Sequence, residues 1–191
     1  MYDWFPLLSA AVAMPVASDH REPLKVGQPA PEFVLPDESG TEHRLTDYRG
    51  QWVLLYFYPK DSTPGCTREA CQFRDYIVEL KSAGVVVFGV SLDDRASHER
   101  FSRKLALPFS LLSDVGGEVA RAYGALAGFR PLRFAKRHSF LIDADGALAR
   151  IYRKVDPDRH AHQVLQDLES LRKVPAENPE PPTQSRHGDG G

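Results

Sequence analysis

The chain is poor in cysteine: Cys66 and Cys71 are the only two in 191 residues. Two are too few for the disulfide scaffold of a small secreted domain, and a close pair in a chain of this size points to redox or metal chemistry. An excess of charge is also missing. Twenty-four Lys and Arg stand against twenty-six Asp and Glu, mixed along the sequence. That balance gives no field favouring nucleic acid or an acidic membrane surface, so small molecules or other proteins are the expected partners. There is no Walker A loop and no G-x-G-x-x-G, hence no nucleotide is implied, and no internal repeat. His160 and His162 are two apart and fall on different helix faces, while His43 and His98 have no clustered ligands. The run Asp143–Gly146 ("DADG") lacks the distal glutamate of a calcium loop and reads as a hairpin turn. Neither a metal nor a cofactor is expected.

No uninterrupted apolar run reaches the roughly 20 residues of a membrane span. "FPLLSAAVAMPVAS" (Phe5–Ser18) has the composition of a signal-peptide centre, but Asp3 precedes it and no Lys or Arg does. A secretory leader needs a positive start. Residues 1–23 are expected to form an N-terminal arm in a cytoplasmic protein; a periplasmic location would follow if residues 1–18 acted as a leader. At the other end, residues 175–191 are polar and rich in Pro and Gly, and are expected to be a disordered tail. Residues 24–174 are long enough for one domain with a substantial core.

Within that domain the apolar pattern alternates between strand and helix character, which predicts an α/β layer fold. "EFVLPD" and "GTEHRL" read as a hairpin around Glu38-Ser39-Gly40. "WVLLYFY" (Trp52–Tyr58) is continuously apolar, as a central strand buried on both faces should be, and Pro59 ends it. Ala70, Phe73, Ile77 and Leu80 recur at helical spacing and predict one helix from Pro64 to Gly84, followed by a buried strand, "VVVFGVS". Further helices are expected over Arg95–Leu105, Glu118–Tyr123 and His160–Leu171, with two strands around an Asp-Gly turn between His138 and Tyr152.

Both cysteines lie where a central strand gives way to a helix, in "YFYPKDSTPGCTREACQFRD" (Tyr56–Asp75). Open α/β sheets tend to carry their chemistry at such junctions, and the helix start offers unpaired N–H groups and a positive dipole end. A free thiol with a pKa near 8.5 is only about 3% thiolate at neutral pH. Bringing it to roughly 90% ionised needs about 3.4 kcal/mol, whereas a helix terminus supplies about 0.3 to 2 kcal/mol. A cation must make up the difference, and arginine, permanently charged and rich in donors, suits the task. On one helix, positions i and i+5 have α-carbons about 8.6 Å apart. A disulfide needs roughly 4.4 to 6.8 Å, so a bond between Cys66 and Cys71 requires a turn or two to unwind. From spacing alone, two ordinary buried thiols remain an equal alternative.

The segment resembles the active-site region of peroxiredoxins, whose Pro-x-x-x-Thr-x-x-Cys pattern falls on Pro59, Thr63 and Cys66. The second cysteine five residues on is similar to the peroxiredoxin Q subgroup, also called bacterioferritin comigratory proteins, and "HSFLIDADG" matches the strand and turn following that family's active-site arginine. The resemblance covers roughly Val26 to Leu171. It implies a thioredoxin-like fold, a central mixed sheet flanked by helices with an N-terminal β-hairpin, and a thiol peroxidase acting on hydrogen peroxide and organic hydroperoxides. By position, Cys66 would be the peroxidatic cysteine, oxidised to a sulfenic acid, and Cys71 the resolving one, with thioredoxin or a glutaredoxin reducing the disulfide.

The same resemblance gives Thr63 a contact to the thiolate beyond its N-cap position, and gives Pro59 a shielding role beyond ending a strand. Arg137, two residues before Ser139, would be the active-site arginine, with Arg133 a nearby competitor. Glu69, which could be a plain surface acid, is expected to pair with that arginine, because an unpaired carboxylate would oppose ionisation of the thiol. The preceding "GALAGFRPLRFAK" departs from the commoner family pattern and alters the mouth of the pocket. A monomer is expected. Two other readings are a general disulfide oxidoreductase, for which the C-x-x-C spacing is wrong, and a copper-chaperone-like module, for which Cys66 and Cys71 project about 140° apart on a helix.

Overall fold

The computed structural model describes residues 23–173. The tail expected over 175–191 lies outside them, and so does the arm expected over 1–23 except for Pro23. The hairpin read from "EFVLPD" and "GTEHRL" is β1 (Val34–Pro36) and β2 (Glu42–Arg44), followed by a 3-10 turn over Leu45–Tyr48. Next come β3 (Trp52–Phe57), α1 (Pro64–Asp75), α2 (Ile77–Ser82), β4 (Val85–Ser91), α3 (Arg95–Leu105) and β5 (Leu111–Ser113). The chain continues through α4 (Glu118–Ala122), a small hairpin β6 (Leu126–Ala127) and β7 (Phe134–Ala135), then β8 (Ser139–Ile142), β9 (Leu148–Tyr152) and α5 (His160–Lys173).

Five strands form the central sheet in the order β5-β4-β3-β8-β9. β3, β4 and β5 are parallel, while β8 runs antiparallel to β3 and β9 antiparallel to β8. β3 lies in the middle, which is why it is apolar at every position. Val53, Leu55 and Phe57 join the core on one face with Tyr123 and Phe140; Leu54, Tyr56 and Tyr58 join the other with Phe73 and Leu80. Each such side chain, removed from water, contributes about 1.5–3 kcal/mol. Gly89 on β4 is what lets Tyr56 lie flat, since a Cβ there would stand 2.7 Å from the tyrosine hydroxyl.

The predicted Pro64–Gly84 helix is two helices. The backbone leaves the helical region at Tyr76, with ψ at 12°. No Pro or Gly marks the break, and the apolar spacing runs straight through it. Packing decides it: α1 lies against α5 through Phe73 and His160, whereas α2 turns Ile77 and Leu80 onto β4, and one straight cylinder does not serve both neighbours. β5 and the β6–β7 hairpin were not expected either; each strand has three residues or fewer, too short for a period to show.

Candidate active site

Thr63 stands at the N-cap of α1 with extended backbone, and Pro64 follows at the first helical position. Its hydroxyl makes no capping bond. It donates instead to the Lys60 carbonyl at 2.9 Å, and no hydrogen bond links it to Cys66, so both expected contacts of this side chain are replaced by a turn within the loop. The first helical bond runs from the Thr67 N–H to the Thr63 carbonyl, which places Gly65 and Cys66 in the stretch whose N–H groups have no partner further back in the helix. Cys66 is 1% exposed, a free thiol at the floor of this helix start. Pro59, half-buried, follows the end of β3 in the loop that leads to this helix start.

Arg137 reaches the same point from the start of β8, the strand paired with β3. Tyr56 near the end of β3 pairs with Ser139 at the beginning of β8, and the Phe57 N–H donates to the His138 carbonyl at 2.8 Å. This register carries the residue preceding His138 over the C-terminal end of β3, where α1 begins. The Arg137 Nη2 donates to Cys66 Sγ at 3.3 Å, while its Nη1 is bonded to Glu69 Oε2. Gly65 leaves room for the guanidinium, since a Cβ there would come within 3.1 Å of Nη2. Arg133, in the turn of the β6–β7 hairpin, makes no hydrogen bond or ion pair with Cys66 or Glu69.

Glu69 is no surface acid: it is fully buried, one helical turn beyond Cys66, and its Oε1 has no partner. Burial pushes its carboxyl up to about 7, against the opposing charge and hydrogen bond of Arg137. Burial works against the charge of the Arg137 guanidinium, but Glu69 and Cys66 outweigh it and hold its pKa above the usual arginine value. One arginine is thus held between a sulfur and a carboxylate.

Residues 26–151 match the model of the AhpC/TSA family. Peroxiredoxin Bcp of Escherichia coli strain K12 is 45% identical over 147 residues, covering 75% of this chain and 94% of that one. Chloroplastic peroxiredoxin Q of Oryza sativa subsp. japonica is 42% identical over 149 residues, covering 76% and 67% of the two chains. This chain belongs to the peroxiredoxins. The crystal structure of peroxidoxin BcpB from Mycobacterium tuberculosis superposes with a TM-score of 0.73 at 34% identity, over 78% of this chain and 99% of that one. The fold is accordingly thioredoxin-like, and the family is one of thiol-dependent peroxidases that use peroxide substrates and thiol reductants.

In this peroxiredoxin, Cys71 sits on the same unbroken helix as Cys66, half-buried, as a second free thiol. The spacing argument therefore holds as made: the two sulfurs meet only if α1 opens. Sequence reasoning missed the support beneath the loop. The Tyr58 hydroxyl donates to Asp61 Oδ1 at 2.8 Å, His98 Nδ1 lies 2.9 Å from Asp61 Oδ2, and the Asp61 N–H donates to Asp93 at 2.9 Å. Burial alone would raise the Asp61 carboxyl, but the hydrogen bond and charge of His98 outweigh it and the net direction is downward. This network fixes the chain between Pro59 and Thr63 from below. An aspartate inside the loop and a histidine on the inner face of α3 were the available signals. His160 was missed as well: its Nε2 meets the Ser139 hydroxyl at 2.8 Å, and burial, with Arg137 nearby, lowers its pKa to about 4, so it faces the site as a neutral ring.

The displaced Glu69 carboxyl sets a pH dependence of stability. Below the unfolded value of 4.5 both states hold the proton; between 4.5 and about 7 the folded state keeps it while the unfolded chain has lost it. Stability from this group is therefore complete at low pH and is lost as the pH rises through that window. Glu69→Gln removes the titrating group and is expected to flatten the change of urea midpoint between pH 4.5 and 7.5. Parallel curves for the variant and the parent would count against the assignment.

Proposed function

We propose that Cys66 is the peroxidatic cysteine, and the observation carrying this reading is the Arg137 Nη2 donor 3.3 Å from Cys66 Sγ at the start of α1. The thiolate attacks one oxygen of the hydroperoxide. The S–O bond forms as the O–O bond breaks, sulfur loses two electrons to the peroxide, and the departing alkoxide or hydroxide takes a proton from solvent. Arg137 and the free N–H groups of the helix start face the charge that develops on these oxygens. Thr63 has committed its only hydroxyl proton to the Lys60 carbonyl, so toward a peroxide it acts as an acceptor, suited to the O–H of the substrate. Pro59 limits water beside the sulfur, and Glu69 holds Arg137 in place as a positioning residue.

Cys71 is the proposed resolving cysteine. Once α1 has opened, its thiolate attacks the sulfenic sulfur, the disulfide forms, and hydroxide leaves to become water. Thioredoxin or a glutaredoxin then reduces the disulfide by two thiol exchanges. We take the working unit to be a monomer, and the need for a reducing thiol pool suits the cytoplasm.

Hydrogen peroxide consumption by metal-free protein, recycled by thioredoxin, its reductase and NADPH, tests the reading. Cycling without metal counts against a copper carrier, and a strict need for peroxide counts against a general disulfide oxidoreductase. Cys71→Ser is expected to give one turnover and then stall with thioredoxin, while small thiols restore slow cycling. Undiminished cycling of that variant with thioredoxin would remove Cys71 from the scheme.

A further inference from the structure

Between Glu118 and Asp143 the chain runs for 24 residues without an acid, while carrying Arg121, Arg130, Arg133, Lys136 and Arg137. The near-neutral balance of the whole chain conceals this stretch. Folding turns its middle into the β6–β7 hairpin, with Leu126 paired to Ala135 and Ala127 to Phe134. Ala135 points inward and is fully buried, so its neighbour Phe134 and Lys136 point outward. The tip is a defined turn: Gly128 adopts φ +80°, and a Cβ on it would lie 2.1 Å from the Leu132 carbonyl oxygen.

On this tip Phe129 is 73% exposed, Leu132 69% and Phe134 44%. Basic residues alternate with them in "FRPLRF" (Phe129–Phe134), and none of Arg130, Arg133 and Lys136 forms an ion pair among the described residues. Three large apolar side chains on one short protrusion have no structural need to be there, since the core closes beneath them at Ala135. The hairpin also stands at the reactive end of the sheet, two residues from Arg137. The β8–β9 register, Ser139 with Tyr152, brings the exposed Arg153 and Lys154 to that same end.

We propose that this hairpin docks the Cys66 end of the molecule onto an anionic lipid surface. A protein interface of ordinary size needs about 800 Å² from each partner, more than one convex six-residue tip offers. A bilayer asks only that aromatic and aliphatic side chains reach the headgroup and acyl boundary while flanking cations meet the phosphates. The FRPLRF tip provides both. Docking would hold the thiol of Cys66 beside the acyl chains of the membrane; it stands independently of the peroxidase reading, because binding is measured without turnover.

The test is sedimentation of the full chain with phosphatidylcholine vesicles, with and without about 30% phosphatidylglycerol, at low salt and at about 0.5 M salt. Partition is expected onto the anionic vesicles and to fall at least about tenfold on neutral ones and in high salt. The variants F129S/L132S and R130Q/K136Q, made in the full chain so that residues 1–22 are unchanged, are each expected to lose about tenfold in partition. Their circular dichroism and hydrogen peroxide turnover should match the parent, which separates lost docking from lost folding. Equal partition of parent and variants would overturn the proposal. So would retention on immobilised poly-glutamate without partition onto anionic vesicles, which would assign the hairpin to an acidic protein.

Discussion

Cys66→Ser is expected to abolish peroxide turnover, by about 10⁴-fold or more, in line with the loss of other covalent nucleophiles. Serine is close to cysteine in size, and this position is almost fully buried in an intact helix turn, so the fold should be retained. What disappears is the atom that can be oxidised: a hydroxyl is far harder to ionise than a thiol, and its oxygen cannot take the place of the sulfenic sulfur. The measurement is initial peroxide consumption under the thioredoxin cycle, with circular dichroism confirming folding. Residual turnover above about one per cent would move the chemistry to another group and leave Arg137 without its proposed purpose.

Arg137→Gln is expected to lower the second-order rate with hydrogen peroxide by about 10² to 10³, the usual cost of removing a donor aimed at developing charge. Two effects are folded into that change, because the same substitution strands Glu69 in the core. Breaking a buried pair by removing one member costs about 3–5 kcal/mol, so the single variant should also unfold at lower urea. The double variant R137Q/E69Q separates them: stability is expected to return and the rate is not. Arg137→Lys keeps the charge but loses the planar fork that serves sulfur and carboxylate at once, and should fall between parent and glutamine. A rate that recovered together with stability in the double variant would reduce Arg137 to a structural partner of Glu69.

Much of the site was legible along the chain because its parts are local. The Pro59, Thr63 and Cys66 pattern, the helix start and the position of Cys71 occupy thirteen residues, and the continuous apolar run of β3 announced a strand buried on both sides. Arg137 was placed through family resemblance; neither spacing nor composition could have chosen it over Arg133. Only the pairing of β3 with β8, a contact across more than eighty residues, carries it over the thiol, while Arg133 stays in the turn of the β6–β7 hairpin.

The rest waited on packing. Whether Glu69 was a surface acid or a buried partner depends on what covers that face of α1, and α1 ends at Tyr76 because α5 and β4 pull its two halves in different directions. The Thr63 hydroxyl found a loop carbonyl closer than any cap, and Asp61 and His98 became one network through the approach of α3. The basic hairpin disappears in the overall charge balance, because composition averages over a surface that folding divides into patches. Sequence by itself determined the longer strands and helices, the central strand and the placing of both cysteines at a strand-to-helix junction, since period and turn chemistry act over a few residues. Which cation stands by the sulfur, which acid is buried and which apolar side chains stay outside were decided by contacts between distant segments, which no local pattern encodes.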